Sequence, residues 1–223
     1  MTKLHKELKP YLQKGPTFEV IKHPLVFAVP YFKSDFENDH LNKTLQFKKE
    51  YIQNCISKKE PHSYIFMHEK PYRLQAFYAA MDEHKIIKEY SPTYWKLLRD
   101  VWVTSENVWE YDMEWRILLN SKNKNAEKFM TLSERKALDK MFKDSETIEI
   151  YRGACERNKN GLSYSLEKGI AQWFANRFAV KNSGQFTGRE RQVYTKRVRR
   201  EDIFAYIKNS EEEIILFWNL LNG

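Results

Sequence analysis

The 223-residue chain has little cysteine: Cys55 and Cys155 stand alone, with no CxxC and no disulfide framework. That fits a reducing compartment and leaves both as small core residues. Its six histidines, His5, His23, His40, His62, His68 and His84, all lie in the first 84 residues without paired ligand spacing, so no metal site is expected. No apolar run is long enough to span a bilayer. The opening "MTKLHKELKPYLQKGP" carries charges where a signal peptide needs its apolar stretch, and the expectation is a cytoplasmic protein with no membrane association. Internal repeats, low-complexity tracts and an obvious linker are also missing, which favours one compact unit.

What is present describes a globular protein. Aromatic residues make up 15% and charged residues 30%, and the length suits one large domain or two small ones. The net charge of +8 is unevenly placed: residues 151–210 hold 13 Lys or Arg against 5 Asp or Glu, a net of +8, so the remainder is close to neutral. Much of this excess lies in "GRERQVYTKRVRRED", where Arg189, Arg191, Lys196, Arg197, Arg199 and Arg200 cluster. Such a patch attracts nucleic acid, nucleotide phosphates or an acidic protein; the plainer reading is a solvated strand face.

Periodicity divides the chain near residue 145. Before it, "SPTYWKLLRDVWV" offers Ser91 as N-cap and Pro92 at the first helical position, with Tyr94, Leu97, Leu98 and Val101 on one face. "RLQAFYAAM" repeats the pattern, and "TLSERKALDKMF" opens with a capping box of Thr131 and Glu134. "LNKTLQFKKEYIQNCI" and "SENVWEYDMEWRILL" read as two further helices. After residue 145, "TIEIYRG", "RQVYTKRV", "DIFAYI" and "EIILFW" read as strands, and "GLSYSLEKGIAQWFANRFAV" turns from a loop into an amphipathic helix. The expectation is an α+β chain: a mostly helical region over 1–145 packed on a strand-rich core over 146–223.

Three features in the second part bear on chemistry. Arg152 ends a strand before Gly153, and a guanidinium there can grip a phosphate with two parallel hydrogen bonds while the glycine admits a ligand or backbone. Ser163 and Ser165 flank Tyr164 and share one side if extended; Ser165 is also placed to N-cap the helix that follows. Glu211 and Glu213 share a strand face beside an apolar run, while Glu212 points away and reads as replaceable. Two carboxylates on one face repel, which raises the pKa of one or calls for a cationic partner, and a site where positive charge develops would favour the pair. Cys155 has no histidine near it in sequence and is not expected to be a nucleophile.

In this order, "YRG" at 151–153, "GLSYSLEKGIAQWFANRF" at 161–178 and "SEEEIILF" at 210–217 resemble the ADP-ribosyltransferase superfamily, in the class built on an Arg-Ser-Glu triad. "VYTKRVRREDIFAYI" is similar to the approach to the acidic motif in bacterial and phage toxin-like members. "HEKPYRLQAF", "YWKLLRDVWVTSENVW" and "WRILLNS" are similar to a helical region that precedes the core in some of them. The resemblance implies a mixed β-sheet catalytic core that takes NAD⁺ as co-substrate without a GxGxxG fingerprint, which the chain lacks. Tyr151, Arg152 and Gly153 would then belong to the NAD⁺ site, with Arg152 on a phosphate. Ser163 would support the nicotinamide end and the catalytic glutamate, and Ser165 stands where a threonine is often found. Glu213 would bind the nicotinamide ribose and stabilise the oxocarbenium-like centre; Glu211 would orient or deprotonate the acceptor.

The resemblance leaves the acceptor open. Glu-x-Glu is associated with protein arginine, whereas the basic segment 189–200 favours RNA or DNA, and nucleic acid is the slightly preferred expectation. Water as acceptor would make the chain an NAD⁺ glycohydrolase. A non-catalytic basic module that binds nucleic acid is the alternative outside enzymology. Such a transferase is toxic in its own cytoplasm unless restrained, so analogy adds a neutralising antitoxin or immunity partner and a role in conflict between phage and bacterium.

Overall fold

A three-stranded antiparallel meander opens the chain in the computed structural model, which describes residues 2–105, 108–119, 123–177 and 191–217. Strands β1 (Leu12–Lys14), β2 (Glu19–His23) and β3 (Val26–Tyr31) pair in order, and Gly15 N donates to Phe18 O at 2.8 Å in the first turn. This sheet falls within the region the pattern reads as helical. Helix α1 (Asp35–Lys58) begins where Ser34 accepts from Glu37 N at 3.1 Å and ends at Lys59, whose φ of 56° is left-handed. Its buried stripe includes Leu41, Leu45, Ile52 and Cys55. Helices α2 (Pro61–Met67), α3 (Arg73–Asp82) and α4 (Pro92–Thr104) follow. Ser91 caps α4 as its sequence indicates, and Tyr94, Leu97, Leu98 and Val101 are buried, joined by Trp95 and Trp102.

The chain divides into two compact units, Met1–Glu106 and Asn107–Gly223. Helices α5 (Asp112–Leu119) and α6 (Leu132–Met141) belong to the second of these, with the strands that follow residue 145. The α6 segment joins the sheet through Phe129, whose ring meets Phe204 edge-on at 5.1 Å, and through Met130, whose sulfur accepts from Tyr206 N.

The sheet of the second unit comprises β4 (Thr147–Cys155), β5 (Ser163–Ser165), β6 (Arg191–Arg199), β7 (Ile203–Ile207) and β8 (Glu213–Leu216), in the order β6-β4-β5-β8-β7. Every pairing among these described strands is antiparallel, so the sheet is antiparallel and not mixed. β7 and β8 are buried throughout, which explains their unbroken apolar runs. Helix α7 (Lys168–Asn176) lies against β4, where an ideal Cβ on Gly153 would sit 1.9 Å from Ala171 O. Gly153 is thus required for the helix to approach the strand. Among the described residues, no helix is long and apolar enough to cross a membrane.

Candidate active site

Register brings the serine and glutamate motifs together. In β5 against β8, Ser165 lies opposite Glu213 and Ser163 opposite Ile215, so both serines and Glu213 share a sheet face. Ser163 Oγ donates to Glu213 Oε1 at 2.5 Å, the diagonal contact expected on one face of an antiparallel pair. Glu213 is only 7% exposed. A carboxylate buried on a strand and held by a hydroxyl has little freedom to turn. Ser165 does not cap α7: Glu167 holds the N-cap position without a side-chain bond. Ser165 Oγ instead donates to Glu211 O at 2.6 Å and accepts from Glu167 N at 2.9 Å, tying the start of the helix to the acidic turn.

Arg152 acts from the other side of the sheet. Tyr151 pairs with both Ser165 and Thr195, and alternation places Arg152 out of phase with it, on the face of Tyr164, whose ring lies 5.9 Å from the guanidinium carbon. Its Nε donates to Asn158 O at 3.0 Å and its Nη1 to Ser163 O at 2.5 Å. Nη2 lies where a Cβ on Gly161 would come within 2.3 Å. Burial lowers the pKa of this guanidinium, while the Tyr164, Asp112 and Glu213 charges act the other way. Two of its three nitrogens donate to backbone carbonyls, so a phosphate would meet only the remaining Nη1 and Nη2 hydrogens. The arginine holds the backbone of Ser163, whose hydroxyl holds Glu213. Nor is Gly153 open to a ligand over its α-carbon, since α7 fills that space. Tyr151 donates its hydroxyl to Glu149 at 3.1 Å.

The acidic motif does not enter as a continuous strand. Glu211 and Glu212 precede β8 in a turn, and Glu212 has a φ of 45°, so strand alternation does not relate Glu211 to Glu213. Glu212 is not a free outward carboxylate either: it accepts from the Tyr206 hydroxyl, and its carbonyl accepts from Leu166 N at 3.0 Å. Burial raises the Glu211 pKa, and the Arg177 charge partly offsets this. The turn is further anchored by Glu134, 2% exposed, which caps α6 through Thr131 N and hydroxyl, each at 2.8 Å. Its other oxygen accepts from Lys208 N at 3.0 Å. The capping box is legible in sequence; this second use of Glu134, 74 residues away, has no local signal.

The basic segment is partly compensated. Arg197 pairs with Glu149 at 3.1 Å, Arg200 with Asp139 at 3.1 Å and Arg199 with Glu201 at 3.7 Å. Arg189 lies outside the described residues. Sequence reasoning also passed over the outer face of α7, where Lys168, Gln172, Trp173, Asn176 and Arg177 are exposed. The described residues hold no group of three or more His, Cys, Asp or Glu side chains able to bind a metal ion. Compared with protein-family models, curated proteins and solved structures, the chain matches none.

Proposed function

We propose that the chain is an NAD⁺-dependent mono-ADP-ribosyltransferase acting on a macromolecular acceptor. The observation that carries this reading is the 2.5 Å bond from Ser163 Oγ to Glu213 Oε1, which joins two motif positions 50 residues apart on neighbouring strands. NAD⁺ supplies ADP-ribose as an electrophile with nicotinamide as its leaving group. Glu213 offers a fixed carboxylate whose attraction for positive charge is greatest when the ribose is most cationic, so it contributes differentially in the transition state. Ser163 fixes its orientation, and Arg152, as a positioning residue, fixes Ser163. Glu211 has the raised affinity for a proton that suits a base receiving one from the acceptor.

The residues fit the co-substrate at its ribose end better than at its phosphates, because Arg152 is engaged within the protein. The test is incubation with labelled NAD⁺ and cell lysate, followed by separate nuclease and protease digestion of the labelled material. Label transfer and nicotinamide release are expected from the wild type and lost, with folding intact, in Glu213→Gln. Undiminished release by Glu213→Gln would falsify the assignment.

A further inference from the structure

Helix α7 carries an outer face that is exposed among the described residues. Ala171 and Ala175 are buried on its inner side, against Gly153, while Lys168, Gln172, Trp173, Asn176 and Arg177 are exposed. Residues 168–177 contain two cations, two carboxamides, one indole and no Asp or Glu. Trp173 is 55% exposed, a large apolar surface to leave in water on a helix otherwise sorted by polarity. The Arg177 guanidinium lies 5.1 Å from its ring centroid, and the Phe174 ring meets it edge-on at 5.0 Å, so the indole is held in place. Gln172 Nε2 donates to Asn176 Oδ1 at 3.3 Å, setting the two carboxamides side by side along the same face.

This surface adjoins the candidate site. The helix start is tied to the acidic turn through Ser165, and Leu166 N donates to Glu212 O. At the other end, the charge of Arg177 acts on Glu211, the carboxylate assigned to the acceptor. We infer that the outer face of α7 binds single-stranded nucleic acid, with an unpaired base stacked on Trp173 and the backbone drawn by Lys168 and Arg177. Its use in presenting an acceptor rests on the transferase reading; the binding itself does not.

The chemistry favours this occupant over a protein. An arginine-bearing protein is recognised by carboxylates, and residues 168–177 contribute none, whereas an indole with cations beside it is the composition that holds bases and phosphates without sequence preference. A duplex hides its base faces and cannot stack on the indole. The three ion pairs of the basic segment are exposed, with side-chain accessibilities from 41% to 75%, so phosphates can compete for those arginines at little cost.

The full chain is titrated against fluorescent oligo(U), oligo(dT) and a duplex of the same length, with circular dichroism of each variant as the folding control. Both single strands are expected to bind more tightly than the duplex, and increasingly weakly as salt rises. Trp173→Ala is expected to weaken single-strand binding about tenfold or more, and Trp173→Phe to restore most of it. The inference is overturned if Trp173→Ala binds like the wild type, or if neither oligonucleotide binds while an arginine-rich peptide does. The two readings fail separately. Nicotinamide release with Trp173-independent binding sinks only this surface; Trp173-dependent binding with no nicotinamide release sinks only the transferase.

Discussion

Replacing Arg152 separates a positioning role from a ligand-binding one. Arg152→Met removes the bonds to Asn158 O and Ser163 O, at 3.0 and 2.5 Å, and leaves both carbonyls without that donor. Hydrogen bonds from a charged donor contribute about 1.5–3 kcal/mol each, so the pair sums to about 3–6 kcal/mol. Removing a buried charge recovers part of its desolvation, which brings the expected net loss to about 2–4 kcal/mol. Arg152→Lys, with one ammonium in place of a fork, should recover about half of that loss. Urea unfolding followed by far-ultraviolet circular dichroism measures the change. Turnover should fall as well, because the Ser163 backbone is no longer held and its bond to Glu213 loosens. A variant whose stability stays within about 0.5 kcal/mol of wild type while only its KM for NAD⁺ rises would refute the reasoning: the guanidinium would then be acting on the ligand.

Glu134→Ala should destabilise the second unit by about 2–4 kcal/mol, combining a lost cap with an unpaired Lys208 N–H, and hydrogen exchange should quicken across residues 208–212. Unchanged exchange there would mean that Glu134 serves α6 alone. For Glu211, burial raises the folded pKa above the unfolded value, so its contribution to stability is fully present below the ordinary carboxylate pKa and lost as pH rises through the folded one. Glu211→Gln should therefore be more stable than wild type at neutral pH, with the gap closing as the solution is acidified; a gap independent of pH would contradict the cause assigned.

Local pattern decided which parts of this fold could be read in advance. The alternation of "TIEIYRG" and the apolar runs "IFAYI" and "EIIL" mark β4, β7 and β8 because period-two order and β-branched residues are intrinsic to strands. Ser91 and Thr131 are legible as caps because a cap is satisfied within three residues. The meander at Leu12–Tyr31 is not, since β1 has only three residues, none buried, and Pro30 sits inside β3, where proline argues against a strand. The charge count over 151–210 misses compensation for another reason. The acids that meet Arg197 and Arg200 lie 48 and 61 residues away, and both precede the counted stretch.

Arg152 shows the same limit at the site. Its type and its place on a strand mark it as special, but its role depends on which face it occupies and which carbonyls lie there. The three consecutive glutamates carry this furthest. A regular strand would set Glu211 and Glu213 on one face and turn Glu212 out. The backbone instead bends at Glu212, where a φ of 45° costs a residue with a Cβ about 1 kcal/mol. That cost is offset by the Tyr206 hydroxyl on the Glu212 carboxylate and by Leu166 N on its carbonyl. Glu212 is therefore the residue that sets the bend, and the bend takes Glu211 out of the strand while Glu213 stays within it. Under the proposed transferase reading, a carboxylate that receives a proton has to face the acceptor, which a position off the strand permits, whereas one that stabilises a developing cation benefits from being immobile. The middle glutamate, which looks expendable in the sequence, is what lets the outer two differ.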